Sequence, residues 1–92
     1  MNPLNEVGVR MTREEIFNIV KESIAEILPE IDIESLKVED SLRELGANSI
    51  DRADIIIDTM EALGLKIPLV EFGNLANIKE IVDLFYEKSA LK

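Results

Sequence analysis

Residues 40–51 read Asp-Ser-Leu-Arg-Glu-Leu-Gly-Ala-Asn-Ser-Ile-Asp, DSLRELGANSID, and the rest of the chain is best read outward from them. Leu42 and Leu45 are spaced to pin one short helical turn. Gly46 then ends it, because glycine adopts backbone conformations that strain other residues. From Ile50 to Leu63 apolar residues recur at helical spacing, so Ser49 stands at the mouth of a helix. A serine there is a candidate N-cap, accepting a hydrogen bond from an orphan backbone N–H, and its loss to alanine would then cost about 1 kcal/mol. It is also a hydroxyl at the positive end of a helix dipole, where an attached anion would be favoured.

The helix beginning at Ser49 or Ile50 is predicted to run to Ala62 or Leu63, with Gly64 as its stop. At 100° per residue its apolar side chains Ile50, Ala53, Ile56, Ile57, Met60 and Leu63 form one broad stripe, which periodicity alone would bury. Asp51, Asp54, Asp58 and Glu61 line the same helix as an acidic stripe. Two readings of those acids stand: a solvated face, or a surface that docks cationic partners.

Upstream, Thr12 and Glu15 make a T-x-x-E capping box ahead of Ile16, Ile19, Val20, Ser23, Ile24, Ile27 and Leu28. That spacing predicts an amphipathic helix ending before Pro29. From Pro29 to Glu39 the pattern loosens, which predicts a long loop whose apolar residues fold back on the core. Asp32 and Ser35 are placed to support a local turn within it. Downstream, Pro68, Phe72 and Gly73 suggest a loop and a short helix around 69–73, with Pro68 at its first position. Asn77 and Glu80 then cap a last helix with an apolar face of Ile78, Ile81, Val82, Phe85 and Tyr86, ending near Lys88. Lys88 and Lys92 suit the negative end of its dipole.

Ninety-two residues with 47% hydrophobic and 32% charged content make one globular domain. Residues 1–11 read as a flexible leader, 12–88 as the folded domain and 89–92 as a tail. Cysteine is absent, which excludes a disulfide framework and thiolate metal sites. Histidine is absent too, so Ser-His and Cys-His catalysis are excluded; on composition alone a two-carboxylate mechanism is not. No P-loop, EF-hand loop, dinucleotide glycine motif or metal-ligand spacing occurs. A net charge of −9 opposes binding to nucleic acid and anionic membranes, and favours partners with basic patches. With no apolar run of membrane-spanning length and no signal-peptide pattern, the expected location is the cytoplasm.

The string Leu45-Gly46-Ala47-Asn48-Ser49-Ile50-Asp51 resembles the modification site of acyl and peptidyl carrier proteins, and the likeness extends over about residues 11–88. It implies an all-α fold: an acyl-carrier-like four-helix bundle of three main helices and one short one. It also implies a non-catalytic protein whose serine, here Ser49, carries a covalent 4′-phosphopantetheine arm, with Gly46 and small Ala47 leaving the hydroxyl accessible. On this overlay Ile50, Ala53, Ile57 and Met60 lie on a partner-docking face, to which Asn48, Asp51, Asp54 and Glu61 add the polar and acidic groups expected to meet cationic partners. Ile55, Ile56, Thr59 and Leu63 turn inward. The overlay and the periodicity therefore disagree about Ile57 and Met60.

Fatty-acid-type carriers have Asp before the serine and a Glu-Glu-x-Phe-like stretch late in the helix. This chain has Asn48, then Met60-Glu61-Ala62-Leu63. Its segments 46–54, GANSIDRAD, and 64–82, GLKIPLVEFGNLANIKEIV, are similar instead to free-standing donor carriers of polyketide β-branching cassettes. That resemblance implies an acetyl cargo and a set of partners: a phosphopantetheinyl transferase, a 3-hydroxy-3-methylglutaryl synthase-like enzyme, a decarboxylating ketosynthase and acyl-loading enzymes. The carrier is expected to be a monomer. The alternatives are a general fatty-acid, polyketide or peptidyl carrier and, in a different class, an acidic helical interaction module without a prosthetic group.

Overall fold

The computed structural model describes residues 11–75 and 77–89, and the expectations for the leader up to Arg10 and for Lys92 lie outside them. Three helices carry the chain: α1 (Arg13–Ile27), α2 (Ser49–Leu63) and α3 (Ile78–Ser89), with no strand among the described residues. This is the all-α bundle the sequence implies. The expected short helix is a single 3₁₀ turn, Leu69–Phe72, with Pro68 just before it rather than inside it. A second 3₁₀ turn, Ile33–Ser35, interrupts the long loop after α1.

Each boundary has a local cause. The Thr12 side chain accepts from Glu15 N–H while Glu15 accepts from Thr12 N–H, which starts α1 with the expected reciprocal cap. Asp32 and Ser35 act as predicted: the Asp32 carboxylate accepts from Glu34 N–H, and Ser35 Oγ donates to Asp32 O. Asn77 Oδ1 accepts from Glu80 N–H at the start of α3. Gly64 ends α2 at φ +69°, in the left-handed region, with its N–H bonded to Glu61 O and Leu65 N–H to Met60 O. That pair of bonds is a Schellman motif.

The core is assembled from one stripe of each helix. Ile16, Val20 and Ile24 of α1 are fully enclosed and join Ile55 and Leu63 of α2 and Ile78, Val82 and Phe85 of α3. Burying side chains of this kind stabilises the fold by about 1.5–3 kcal/mol each, against the conformational entropy of ordering the chain. A polar contact crosses the α1–α2 interface. Thr59 and Ser23, both buried, bring their hydroxyls to 3.2 Å, and Thr59 Oγ1 also donates to Ile55 O at 2.8 Å. With Thr59's single proton used there, Ser23 is the donor between the two.

Leu36 brings the 29–39 loop onto the core, with Ile31 and Ile33 half-buried beside it. The end of this loop and the residue after it close the N-terminus of α3: Asp40 O accepts from Ile78 N–H at 2.9 Å and Val38 O from Lys79 N–H at 2.7 Å. Two orphan donors of α3 are thereby satisfied by Val38 and by Asp40, the residue that opens DSLRELGANSID. Met11 packs against the core, and Ser89 belongs to α3, donating its hydroxyl to Tyr86 O.

Candidate functional site

The approach to Ser49 is held from both sides. Leu45 N–H bonds to Ser41 O and Ala47 N–H to Leu42 O, so residues 41–47 form the compact turn expected from Leu42 and Leu45. Gly46 sits at φ +103°, and a side chain there would meet nothing within 4 Å. Its glycine is therefore required by backbone conformation, not by space. Ala47 has a different role from the expected one. It is buried in the core beside Leu42, so its small methyl anchors the turn rather than clearing a path to the hydroxyl.

Asn48, not Ser49, caps α2. Asn48 Oδ1 accepts from Asp51 N–H at 2.7 Å, and Asp51 Oδ2 accepts from Asn48 N–H at 3.3 Å. Ser49 is the first residue of the helix, exposed, with no hydrogen bond from its hydroxyl among the described residues. The physical reason is reach: the amide of Asn48, one residue earlier, already occupies the donor that a serine cap would take. The Asn48–Asp51 spacing repeats that of Thr12–Glu15 and Asn77–Glu80, so the sequence carries the signal of this box.

Beyond Ser49, α2 divides. Ile55, Ile56, Thr59 and Leu63 are buried as the overlay implies, whereas Ile50 is 70% and Ile57 39% exposed. Ala53 is half-buried; Asp54 and Glu61 are exposed. Met60 departs from the overlay. It is only 8% exposed and belongs to the core cluster, and its Sδ accepts from Ile67 N–H at 3.3 Å. The Schellman turn at Gly64 doubles the chain back so that Leu65 and Ile67, both buried, cover it. Met60 is thus a core residue at the rim of a shallow groove that it shares with Ile57, Glu61 and Ile67.

A cleft of about 520 Å³ opens beside Ser49, between α2, the 41–44 turn and the 69–75 segment. Ile56, Phe72 and Ile81 give it an apolar wall, and Ser49, Arg52 and Arg43 give it a polar one. Phe72 is fixed by its 5.1 Å contact with Phe85, and Lys88 ties the 3₁₀ turn to α3 through Glu71 at 3.3 Å. The four acids of α2, Asp51, Asp54, Asp58 and Glu61, form no ion pair among the described residues. No cluster of potential metal ligands occurs among the described residues.

The residues around Ser49 fit a phosphodiester-linked group. The hydroxyl is exposed and unengaged, and the N–H groups of Ser49 and Ile50 have no partner among the described residues. Together they place an anion-favouring helix terminus under an accessible oxygen.

Residues 18–85 match the family described as the phosphopantetheine attachment site. The chain is 44% identical over 78 residues to the polyketide biosynthesis acyl-carrier-protein AcpK of Bacillus subtilis (strain 168), spanning 85% of this chain and 95% of that protein. It is 36% identical over 78 residues to an acyl carrier protein of Rubrobacter xylanophilus, spanning 84% and 95%. It is also similar to a chain in the crystal structure of the curacin biosynthetic pathway HMG synthase in complex with acetyl donor-ACP. There the TM-score is 0.78 at 42% identity, covering 84% of this chain and 99% of that one. Likeness of this extent, carried through both backbone and sequence, is that of common descent: the chain belongs to the acyl carrier proteins, the non-catalytic family that bears covalent 4′-phosphopantetheine.

Proposed function

We propose that this carrier holds an acetyl group as a thioester on an arm attached to Ser49, and presents it to a 3-hydroxy-3-methylglutaryl synthase-like enzyme during polyketide β-branching. The observation that carries this reading is the match, at 42% identity over 84% of this chain and 99% of the other, to a chain of a complex between an HMG synthase and an acetyl donor-ACP. The arm, once attached, supplies the thiol on which the acyl group rides. This chain's residues do the remaining work. Asn48 and Asp51 hold the start of α2, Gly46 turns the backbone into it, and Ser49 offers its oxygen to a phosphopantetheinyl transferase.

Docking belongs to the outward side of α2. Ile50, Ala53 and Ile57 supply apolar contact, and Asn48, Asp51, Asp54 and Glu61 supply polar and negative groups for partners with basic patches. A decarboxylating ketosynthase and acyl-loading enzymes are the further partners in this scheme, met by a monomer in the cytoplasm. No helix among the described residues is long and apolar enough to cross a membrane. Exposed acids without ion-pair partners speak against nucleic acid as a ligand.

A general acyl carrier is the second reading, favoured by the 36% identity to the Rubrobacter protein. The two separate in one assay. The holo protein, made with a phosphopantetheinyl transferase and loaded with acetyl, is offered to an HMG synthase of a β-branching cassette and to a fatty-acid condensing enzyme. Acetyl transfer to the first alone supports the donor reading; transfer to the second alone overturns it. Failure of the wild-type chain to gain the arm in intact-mass measurement, or gain of it by Ser49→Ala, would remove Ser49 as the attachment point.

A further inference from the structure

We propose that Arg52 clasps the phosphodiester that joins the arm to Ser49, and so fixes the direction in which the arm leaves α2. The inference rests on Ser49 being the attachment residue. Arg52 lies three positions after Ser49, on the same face of α2, where side chains are neighbours at about 5–6 Å between Cβ atoms. Helical side chains lean toward the N-terminus, and this one does so far enough that its Nη1 donates to Ala47 O at 2.8 Å. The guanidinium is therefore parked over the mouth of the helix, against the backbone two residues before Ser49.

That anchoring bond uses one of five donors, and Arg52 makes no ion pair among the described residues. The others remain in a rigid planar fork, suited to two phosphate oxygens at once. Charge around the cleft agrees. In a chain of net charge −9, the cleft beside Ser49 has two cations, Arg43 and Arg52, against one carboxylate, Glu44. On the opposite edge of the helix mouth stands Asp51, whose carboxylate is committed to the cap and would repel a phosphate. Arg52 offsets that repulsion and draws the phosphate toward the cleft side of α2, away from Asp51.

The structural alternative is that Arg52 merely ties the 42–47 turn to α2. The two roles separate because a tie to Ala47 alone would contribute equally with and without the arm on Ser49. Full-length wild type and Arg52→Gln are prepared without the arm and with it, modification being confirmed by intact mass and assigned to Ser49 by peptide mapping. If the clasp exists, attaching the arm changes melting temperature more favourably in wild type than in Arg52→Gln, by roughly 2–6 °C at low salt. The gap narrows at high salt as the charges are screened. Equal increments in the two proteins overturn the proposal, even if Arg52→Gln melts lower in both forms.

A measurement on wild type alone guards against a variant that folds poorly. The Arg52 Nε–H signal in the nitrogen–proton correlation spectrum, and the phosphorus resonance of the diester, report the contact directly. Arg52 Nε–H should shift on modification and show a cross-peak to phosphorus-coupled protons of the linkage. An unmoved Nε–H signal overturns the clasp. A wild-type chain modified at another residue, or not at all, fails the Ser49 reading at the mass step and the clasp with it.

Discussion

Replacing Met60 by glutamate tests the division of α2 into a buried and an outward part. Overlay on the carrier family would make this a surface change with little effect on stability. In the structure Met60 is 8% exposed, and its sulfur accepts from Ile67 N–H. Removing a buried methionine forfeits roughly 1.5–3 kcal/mol of apolar burial. Introducing a carboxylate under Leu65 and Ile67 adds on the order of 1–3 kcal/mol for a polar group without full hydration, even if it stays protonated or leans toward the groove rim. A total of about 2.5–6 kcal/mol is a large share of the roughly 5–14 kcal/mol expected for 92 residues. At about 4 °C per kcal/mol, the lower figure already predicts a fall in melting temperature of about 10 °C.

Ile57→Glu is the matched comparison, one turn earlier on the same helix and 39% exposed. It should melt within a few degrees of wild type, yet weaken docking to an HMG synthase-like partner by about 1–3 kcal/mol. Thermal melts of both variants, followed by circular dichroism, decide the matter. If Met60→Glu melts like wild type, the covering of Met60 by Leu65 and Ile67 does not exist in solution, and the family overlay was right about that position.

Ser49→Ala should abolish gain of the arm with a stability change within about 0.5 kcal/mol, because Ser49 makes no cap; Asn48→Ala should cost about 1 kcal/mol in a urea melt. Gly64→Ala should destabilise by about 1 kcal/mol or more, since φ +69° strains any residue with a Cβ, and chemical denaturation reads this directly. Arg13, through a 2.8 Å hydrogen bond, and then Lys79 hold the Asp83 carboxyl below its ordinary value of 3.8. Its contribution is therefore present above the ordinary carboxylate range and lost as pH falls through the lowered value. Asp83→Asn should melt below wild type at pH 7 by no more than about 1 kcal/mol, as befits an exposed cluster, and the two should converge in acid.

Most of the fold could be read in the sequence because its boundaries are written by local chemistry. Thr12 with Glu15, Asn77 with Glu80 and Gly64 each act within a few residues of themselves, so their effect does not depend on how the helices later pack. Features that depend on residues far along the chain leave no such local signal. The 3₁₀ turn at 69–72 is too short to leave a period, and Ala47's burial follows from the placing of the 41–47 turn against the core. Arg52 is a single charge in the GANSIDRAD segment, and helical spacing alone does not assign it a contact. The available signal was its spacing from Ser49, a neighbouring position on the helix surface, and only the bond to Ala47 O shows which way it turns.

The second helix shows why neither periodicity nor family overlay was sufficient alone. Its apolar residues occupy more of the circumference than α1 and α3 can cover, so some must face outward, and 100° spacing cannot say which. Ile57 and Met60 differ by three residues and lie on nearly the same side. What separates them is the chain beyond Gly64: its left-handed turn folds Leu65 and Ile67 over Met60 and stops short of Ile57. The outward apolar surface of α2 is therefore that of Ile50 and Ile57 with half-buried Ala53 between them, and it begins next to Ser49. A partner that reads this surface is held close to the residue proposed to bear the arm, which shortens the distance over which the tethered group must search for an active site and raises its effective concentration there.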